Sequence, residues 1–191
     1  MTANYGMNKS KAEVFSFDRP IVLIGMMGAG KTSIGRALAE LTGLGYKDSD
    51  AEIEIAAGCR VSDIFERYGE SEFRRMERKV IERLLYGGAC VLSLGGGAFI
   101  NDETRQKVKE KAISIWIRVD RELLFGRVTR HGDRPLLKGG DAREKLWSIL
   151  DAREPIYAQA DLVVDCDDSP VAQNAKHVLE EIRKFRAQPT K

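Results

Sequence analysis

Five short apolar runs punctuate the chain, "PIVLIG", "LGYKDSD", "ACVLSLG", "AISIWIRV" and "ADLVVDC", and each reads as a β-strand. Between them apolar residues recur at helical spacing: Ile34, Leu38 and Leu41, then Val61, Ile64, Phe65 and Tyr68, then Phe73, Met76, Val80 and Leu84. Further stripes fall at Leu123, Leu124 and Val128, at Leu146, Ile149 and Leu150, and at Val171, Ala175, Val178, Leu179 and Ile182. Each predicts a buried helix face, and Pro155 is expected to stop the penultimate helix. Short apolar strands alternating with helices predict an α/β fold, a five-stranded parallel sheet with helices on both faces. One stretch, "RHGDRPLLKGG" at 130–140, fits neither period. Its glycine, proline and charge predict a mobile loop.

A length of 191 residues, 43% hydrophobic and 31% charged, suits one domain with a real core. That domain is expected over 19–187, after a frayed polar arm at 1–18. Acidic and basic side chains nearly cancel, leaving +2, so no global field draws the chain to nucleic acid or an anionic membrane. No apolar run approaches the roughly 18 to 20 residues of a membrane span, and the arm lacks the continuous apolar core of a signal peptide. A cytoplasmic monomer is the expectation. Cys59, Cys90 and Cys166 are odd in number and form no CxxC pattern, which argues against a disulfide framework or a zinc site and for reduced, buried thiols.

The chemistry begins at "GMMGAGKT", where Gly25, Gly30, Lys31 and Thr32 stand in the spacing GxxxxGK[ST] between a strand and a helix. Glycines at 25, 28 and 30 let the backbone curl until successive N–H groups face phosphate oxygens, and the helix start adds its positive dipole end. Gly28, Ala29, Gly30, Lys31, Thr32 and Ser33 thus form an expected ATP site. Lys31 would bridge the β- and γ-phosphates, and the Thr32 hydroxyl would ligate the accompanying Mg2+. A glycine-rich turn that binds nothing explains the glycines but not the Lys-Thr pair. Switch GTPases, motor ATPases and small-molecule kinases all use such a loop. The chain has no NKxD motif, and "VLSLGGG" ends in Ser93 and glycines rather than an aspartate, so the first two classes lose weight.

Four further motifs follow: "DSD" after the second strand, "FRRME" in the third helix, "LGGG" after the third strand, and "RPLL" followed by "AREPIY". Asp48 and Asp50 lie two apart at the carboxyl end of a strand, so both can face one crevice. Arg74 and Glu77 are three apart on a helix, close enough to pair, whereas Arg75 points about 100° further round. Gly95, Gly96 and Gly97 leave room and free N–H groups for a small substrate.

With these motifs in order and at matching spacing from about Ile21 to about Leu179, the chain resembles the shikimate kinases. The resemblance implies a nucleoside monophosphate kinase-like fold with a substrate-binding helical segment at about 51–86 and a mobile lid at about 130–140. It implies transfer of the ATP γ-phosphoryl to the 3-hydroxyl of shikimate, in aromatic amino acid biosynthesis, with Mg2+. By the same resemblance Asp50 hydrogen-bonds the accepting hydroxyl and is the candidate base, and Asp48 stands behind the metal through water. Arg74 clamps the shikimate carboxylate while Glu77 orients it and meets a ring hydroxyl. Phe65 and Phe73, core residues by spacing, are placed against the shikimate ring. Arg134 in the lid and Arg153 reach the phosphate and shikimate, with Arg134 joining Asp50 and Lys31 as catalytic. Arg127 stacks on adenine near Ser169 and Pro170. His131 and His177 match no catalytic position and read as solvated. A gluconate or nucleoside monophosphate kinase would share the phosphate loop and lid but would not require "FRRME" with "LGGG". A nucleotide-dependent regulator without turnover would not require Asp50, Lys31 and Arg134 together.

Overall fold

Every strand of the sheet runs in the same direction, in the order β2-β3-β1-β4-β5. The computed structural model describes residues 17–130 and 141–188. In chain order the strands are β1 Ile21–Ile24, β2 Gly45–Asp48, β3 Cys90–Ser93, β4 Ile113–Arg118 and β5 Leu162–Asp165. The helices are α1 Lys31–Thr42, α2 Ser49–Ala57, α3 Val61–Leu85, α4 Asp102–Lys111, α5 Arg121–Arg130, α6 Ala142–Tyr157 and α7 Val171–Ala187, with a 3-10 turn at Ala98–Ile100. All five expected strands form.

The sheet is buried on both faces because its central strands β1, β3 and β4 are mostly apolar, with only Ser93, Ser114 and Arg118 polar, so alternate residues feed two separate cores. Ile21 and Leu23 of β1, with Ile113, Ile115 and Ile117 of β4, pack with Leu38, Leu146 and Val178. Val22 and Ile24 pack on the opposite face with Ile53, Ile81 and Val108. Each fully buried aliphatic side chain contributes about 1.5–3 kcal/mol. The two cores fix the carboxyl edge of the sheet, where the functional groups gather.

Several expectations are corrected. The packed domain begins before residue 19, since Phe17 joins the first core under the Arg186 guanidinium, 5.0 Å from its ring. Residues 1–16 of the expected arm lie outside the described residues. Pro155 does not stop α6, which runs on to Tyr157; the ring costs one bond in the last turn, and the ladder resumes at Ala158 N–H to the Glu154 carbonyl, 2.9 Å. Leu41, Phe65, Tyr68 and Val171, read as buried, are exposed. Cys90 and Cys166 are buried as expected, but Cys59 is half-exposed.

The apolar stripes predicted neither α2 nor α4, although most of α2 falls inside the helical segment that the resemblance implied at about 51–86. "AEIEIAA" alternates like a strand, and only Ile53 of its isoleucines turns inward. Helix α4 buries only Thr104 and Val108 and is fixed by its ends: Asn101 caps Thr104 N–H, acids fill the first turn and lysines the last. Helix α3 is broken at Gly69, whose φ of 77° and ψ of 172° are non-helical. The break separates the stripe ending at Tyr68 from the one beginning at Phe73. Of the expected lid, 131–140 lies outside the described residues, and Arg130 ends α5.

Candidate active site

A cleft of about 460 Å3 opens at the carboxyl ends of β1, β2 and β3, where ligands of open parallel sheets collect. On one side runs the loop between β1 and α1, turned by positive φ at Gly25, Gly28 and Gly30. No side chain caps the first turn of α1, so its amides are left facing the cleft. Gly28, Gly30, Lys31, Thr32 and Ser33 line it, while Ala29 is buried beneath. The Lys31 ammonium donates to the Gly25 and Met26 carbonyls, both at 2.9 Å, and so lies across the loop it belongs to.

Opposite stands the "DSD" run, whose three residues do three different things. The strand ends at Asp48, and Asp50 lies in the first turn of α2, not on the strand as its spacing suggested. Asp48 is the N-cap: its Oδ1 accepts from Asp50 N–H at 3.0 Å and Ala51 N–H at 3.4 Å. Its Oδ2 accepts from the Thr32 hydroxyl at 3.4 Å and the Tyr46 hydroxyl at 3.2 Å. Ser49, fully buried, accepts the Gly95 N–H at 2.9 Å and ties the "GGG" loop to α2. That amide is therefore not free for a substrate, which corrects the expectation for Gly95.

Asp50 points into the space between. Its Oδ1 is buried and has no hydrogen-bond partner among the described residues. Burial raises its carboxyl above the usual carboxylate range and Asp48 adds to this, while Lys31 and Arg74 pull it back. The Gly95 backbone approaches this oxygen so closely that a Cβ there would stand 2.6 Å away. Only glycine admits that approach.

The same loop meets the remaining basic groups. A Cβ on Gly97 would stand 2.9 Å from an Arg74 guanidinium nitrogen, so Arg74 crosses directly over the loop. Arg74 donates to Glu77 at 2.7 Å, with Glu77 almost wholly buried and Glu70 on the outer side. Burial raises the Glu77 carboxyl and the Arg74 charge lowers it again. Arg153 donates to the Gly96 carbonyl at 3.2 Å, and the buried Tyr157 hydroxyl donates to the same oxygen. Arg75 is turned outward and paired with Glu72, and His177 is exposed.

Phe73 is buried and Phe65 lies half outside, their ring centroids 4.5 Å apart. Neither is among the residues lining the cleft; Phe73 reaches the site through Arg74, 5.2 Å above its ring. Arg127 lines the far end and donates to the Asp167 carbonyl at 2.8 Å, with Asp168 at 3.3 Å. Asn174 holds that loop from behind through the Asp167 and Ser169 carbonyls, and Pro170 opens α7. Arg134 and His131 lie outside the described residues.

Sequence reasoning missed Tyr46, Ser49, Ser93 and Tyr157. Tyr157 was in view within "AREPIY", but nothing in its spacing shows that it reaches back to Gly96. The Thr32 hydroxyl and Asp48 carboxylate form a hard, all-oxygen pair beside the phosphate loop, a donor set that fits magnesium brought in with a nucleotide. No cluster of three or more His, Cys, Asp or Glu able to hold a metal occurs among the described residues.

The family model for shikimate kinase matches residues 27–183. The shikimate kinase of Paramagnetospirillum magneticum is 51% identical over 162 residues, covering 85% of this chain and 83% of its own. That of Rhodopseudomonas palustris is 46% identical over 171 residues, 88% of this chain and 84% of its own. Among solved structures, shikimate kinase from Acinetobacter baumannii in complex with shikimate superposes with a TM-score of 0.83 at 36% identity, covering 89% of this chain and 96% of that one. A phosphate loop facing a buried carboxylate and an arginine-glutamate pair, and relatives of such identity over most of their length, lead to one conclusion: the chain belongs to the shikimate kinase family.

Proposed function

We propose that this protein transfers the γ-phosphoryl of ATP to the 3-hydroxyl of shikimate, giving shikimate 3-phosphate and ADP. The observation that carries the reading is the convergence of Asp50, Arg74 and the Gly95–Gly97 loop opposite Lys31. A hydroxyl donor seated there finds the Asp50 oxygen that has no partner among the described residues, and a carboxylate finds Arg74 and Arg153. Lys31 leaves its loop carbonyls for the β- and γ-phosphates, joined by the amides at the start of α1. Thr32 would hold Mg2+ directly and Asp48 through water; when bound, the ion neutralises charge on the transferring phosphate.

Phosphoryl transfer of this kind has a loose transition state, so positioning and charge dominate. Asp50 orients the hydroxyl and takes its proton as the new P–O bond forms and the bond to ADP breaks. Glu77 fixes the Arg74 fork and meets a ring hydroxyl, Gly96 and Gly97 floor the site, and Phe73 and Phe65 back the ring. Arg127 lies against adenine, with Ser169 and Pro170 beside it. Arg134, carried by the resemblance alone, adds a cation from the lid. A cytoplasmic monomer, supplying chorismate and the aromatic amino acids, completes the proposal.

A coupled ADP-release assay with shikimate, quinate, gluconate and AMP tests the whole reading. Turnover with shikimate alone is expected; equal turnover with gluconate or AMP would overturn it. Arg74→Lys keeps charge but loses the two-pronged fork, so shikimate should bind more weakly by about 2 kcal/mol with ATP binding unchanged. Calorimetry on each ligand separately checks this. Gly95→Ala drives a methyl against Asp50, and displacing the carboxylate should cost about 10² in turnover. Circular dichroism should meanwhile show the fold retained, since the obstructing atom is a side-chain end.

A further inference from the structure

Tyr46 occupies a slot that the phosphate-loop helix is shaped to receive. A Cβ on Gly35 of α1 would stand 2.7 Å from the Tyr46 ring and 3.0 Å from Ser93 Oγ, so the helix approaches the strand only because that position is bare. The Arg36 guanidinium lies 5.6 Å from the centroid of the same ring. Held between these, the ring delivers its hydroxyl to Asp48 Oδ2 at 3.2 Å, the oxygen that also accepts from Thr32. The other Asp48 oxygen is occupied by the α2 amides. Ser93 donates to the Lys31 carbonyl at 3.2 Å and pins the start of α1 to β3 beside the tyrosine.

We propose that Tyr46 is a positioning residue for the metal-nucleotide complex: its hydroxyl fixes the Asp48 carboxylate against Thr32, so that the pair receives magnesium preorganised. The inference rests on the proposed Thr32 and Asp48 metal site. Asp48 is anchored at both oxygens, one by the amides it caps and one by Tyr46. Without the Tyr46 hydroxyl the oxygen facing Thr32 keeps only the longer 3.4 Å contact from the Thr32 hydroxyl itself, and it turns more freely. Partners standing behind a metal ligand typically set affinity by 10- to 100-fold, whereas they leave the nucleotide's own contacts alone.

Calorimetric titration of ADP into the full chain, with Mg2+ and with EDTA, separates these effects. The parent should show a gain in ADP affinity with Mg2+. Tyr46→Phe keeps the ring in its slot and should lose about tenfold of that gain, with metal-free ADP affinity and shikimate affinity unchanged. In Asp48→Asn the same change at Tyr46 should add nothing further, since it acts through the carboxylate. An intact gain in Tyr46→Phe, an equal loss with and without metal, or additive losses in the double variant would each overturn the role of Tyr46 alone. A parent with no Mg2+-dependent gain would bring down the metal site itself, and the inference with it.

Discussion

Asp50→Asn is expected to lower turnover by about 10² to 10⁴ while shikimate still binds, because asparagine keeps the shape and loses the base. Single-turnover measurements with shikimate affinity determined alongside distinguish loss of chemistry from loss of binding. An enzyme retaining half its turnover would show that Asp50 only positions its substrate. The same substitution should stabilise the fold at neutral pH. Burial raises this carboxyl, so the native state holds the proton more tightly than the unfolded chain does. Ionising it therefore costs stability: the cost begins as pH rises through the unfolded value, about 3.9, and is complete above the raised native value. Asparagine escapes that cost. Calorimetry should find the variant melting above the parent at pH 7 and the difference closing below about pH 4. A variant melting lower at pH 7 would mean that Lys31 and Arg74 already compensate the charge.

Lys31→Met should lower turnover by about 10³ or more, with weaker ATP binding and unchanged shikimate binding. Removing a single neutral donor from a developing oxyanion costs about 10² to 10³, and Lys31 brings a full charge. The Gly25 and Met26 carbonyls that hold the ammonium lose a partner as well, so the loop should also lose protection against hydrogen exchange. Retained turnover would mean that the transferring phosphate is stabilised from elsewhere, with Arg134 and Arg153 the next cations to remove.

How much of this was legible depends on what each element uses to hold itself. The central strands β1, β3 and β4 were legible because they are mostly apolar, as both-face burial demands. The phosphate loop was legible because its chemistry is contiguous. Helices α2 and α4 were not: one disguises its period with Ile53 and Ile55, and the other is held by caps and charges rather than by an apolar face. Pro155 misled because a proline in a last helical turn removes only one bond. Within the site, Asp50, Arg74 and the glycines announced themselves through residue type. Tyr46 stands two residues before Asp48 on one face of β2, a signal that was present and not used. Tyr157 did not announce itself, because its partner, the Gly96 carbonyl, is 61 residues away and no local spacing encodes that. The occupied Gly95 amide was hidden for the same reason, its partner Ser49 lying 46 residues away.

Strands β2 and β3 are neighbours in the sheet, paired from Gly45 with Cys90 to Asp48 with Ser93, although both acceptor-side helices lie between them in the chain. Helices α2 and α3 thus form an excursion that leaves the carboxyl end of β2 and returns at the amino end of β3, the two flanking strands clamped side by side, while the phosphate loop and the Arg127 side are built on other strands. A catalyst divided in this way is modular. The excursion is a cassette that mutation, recombination or grafting can exchange to alter which molecule receives the phosphate, leaving intact the apparatus that delivers it.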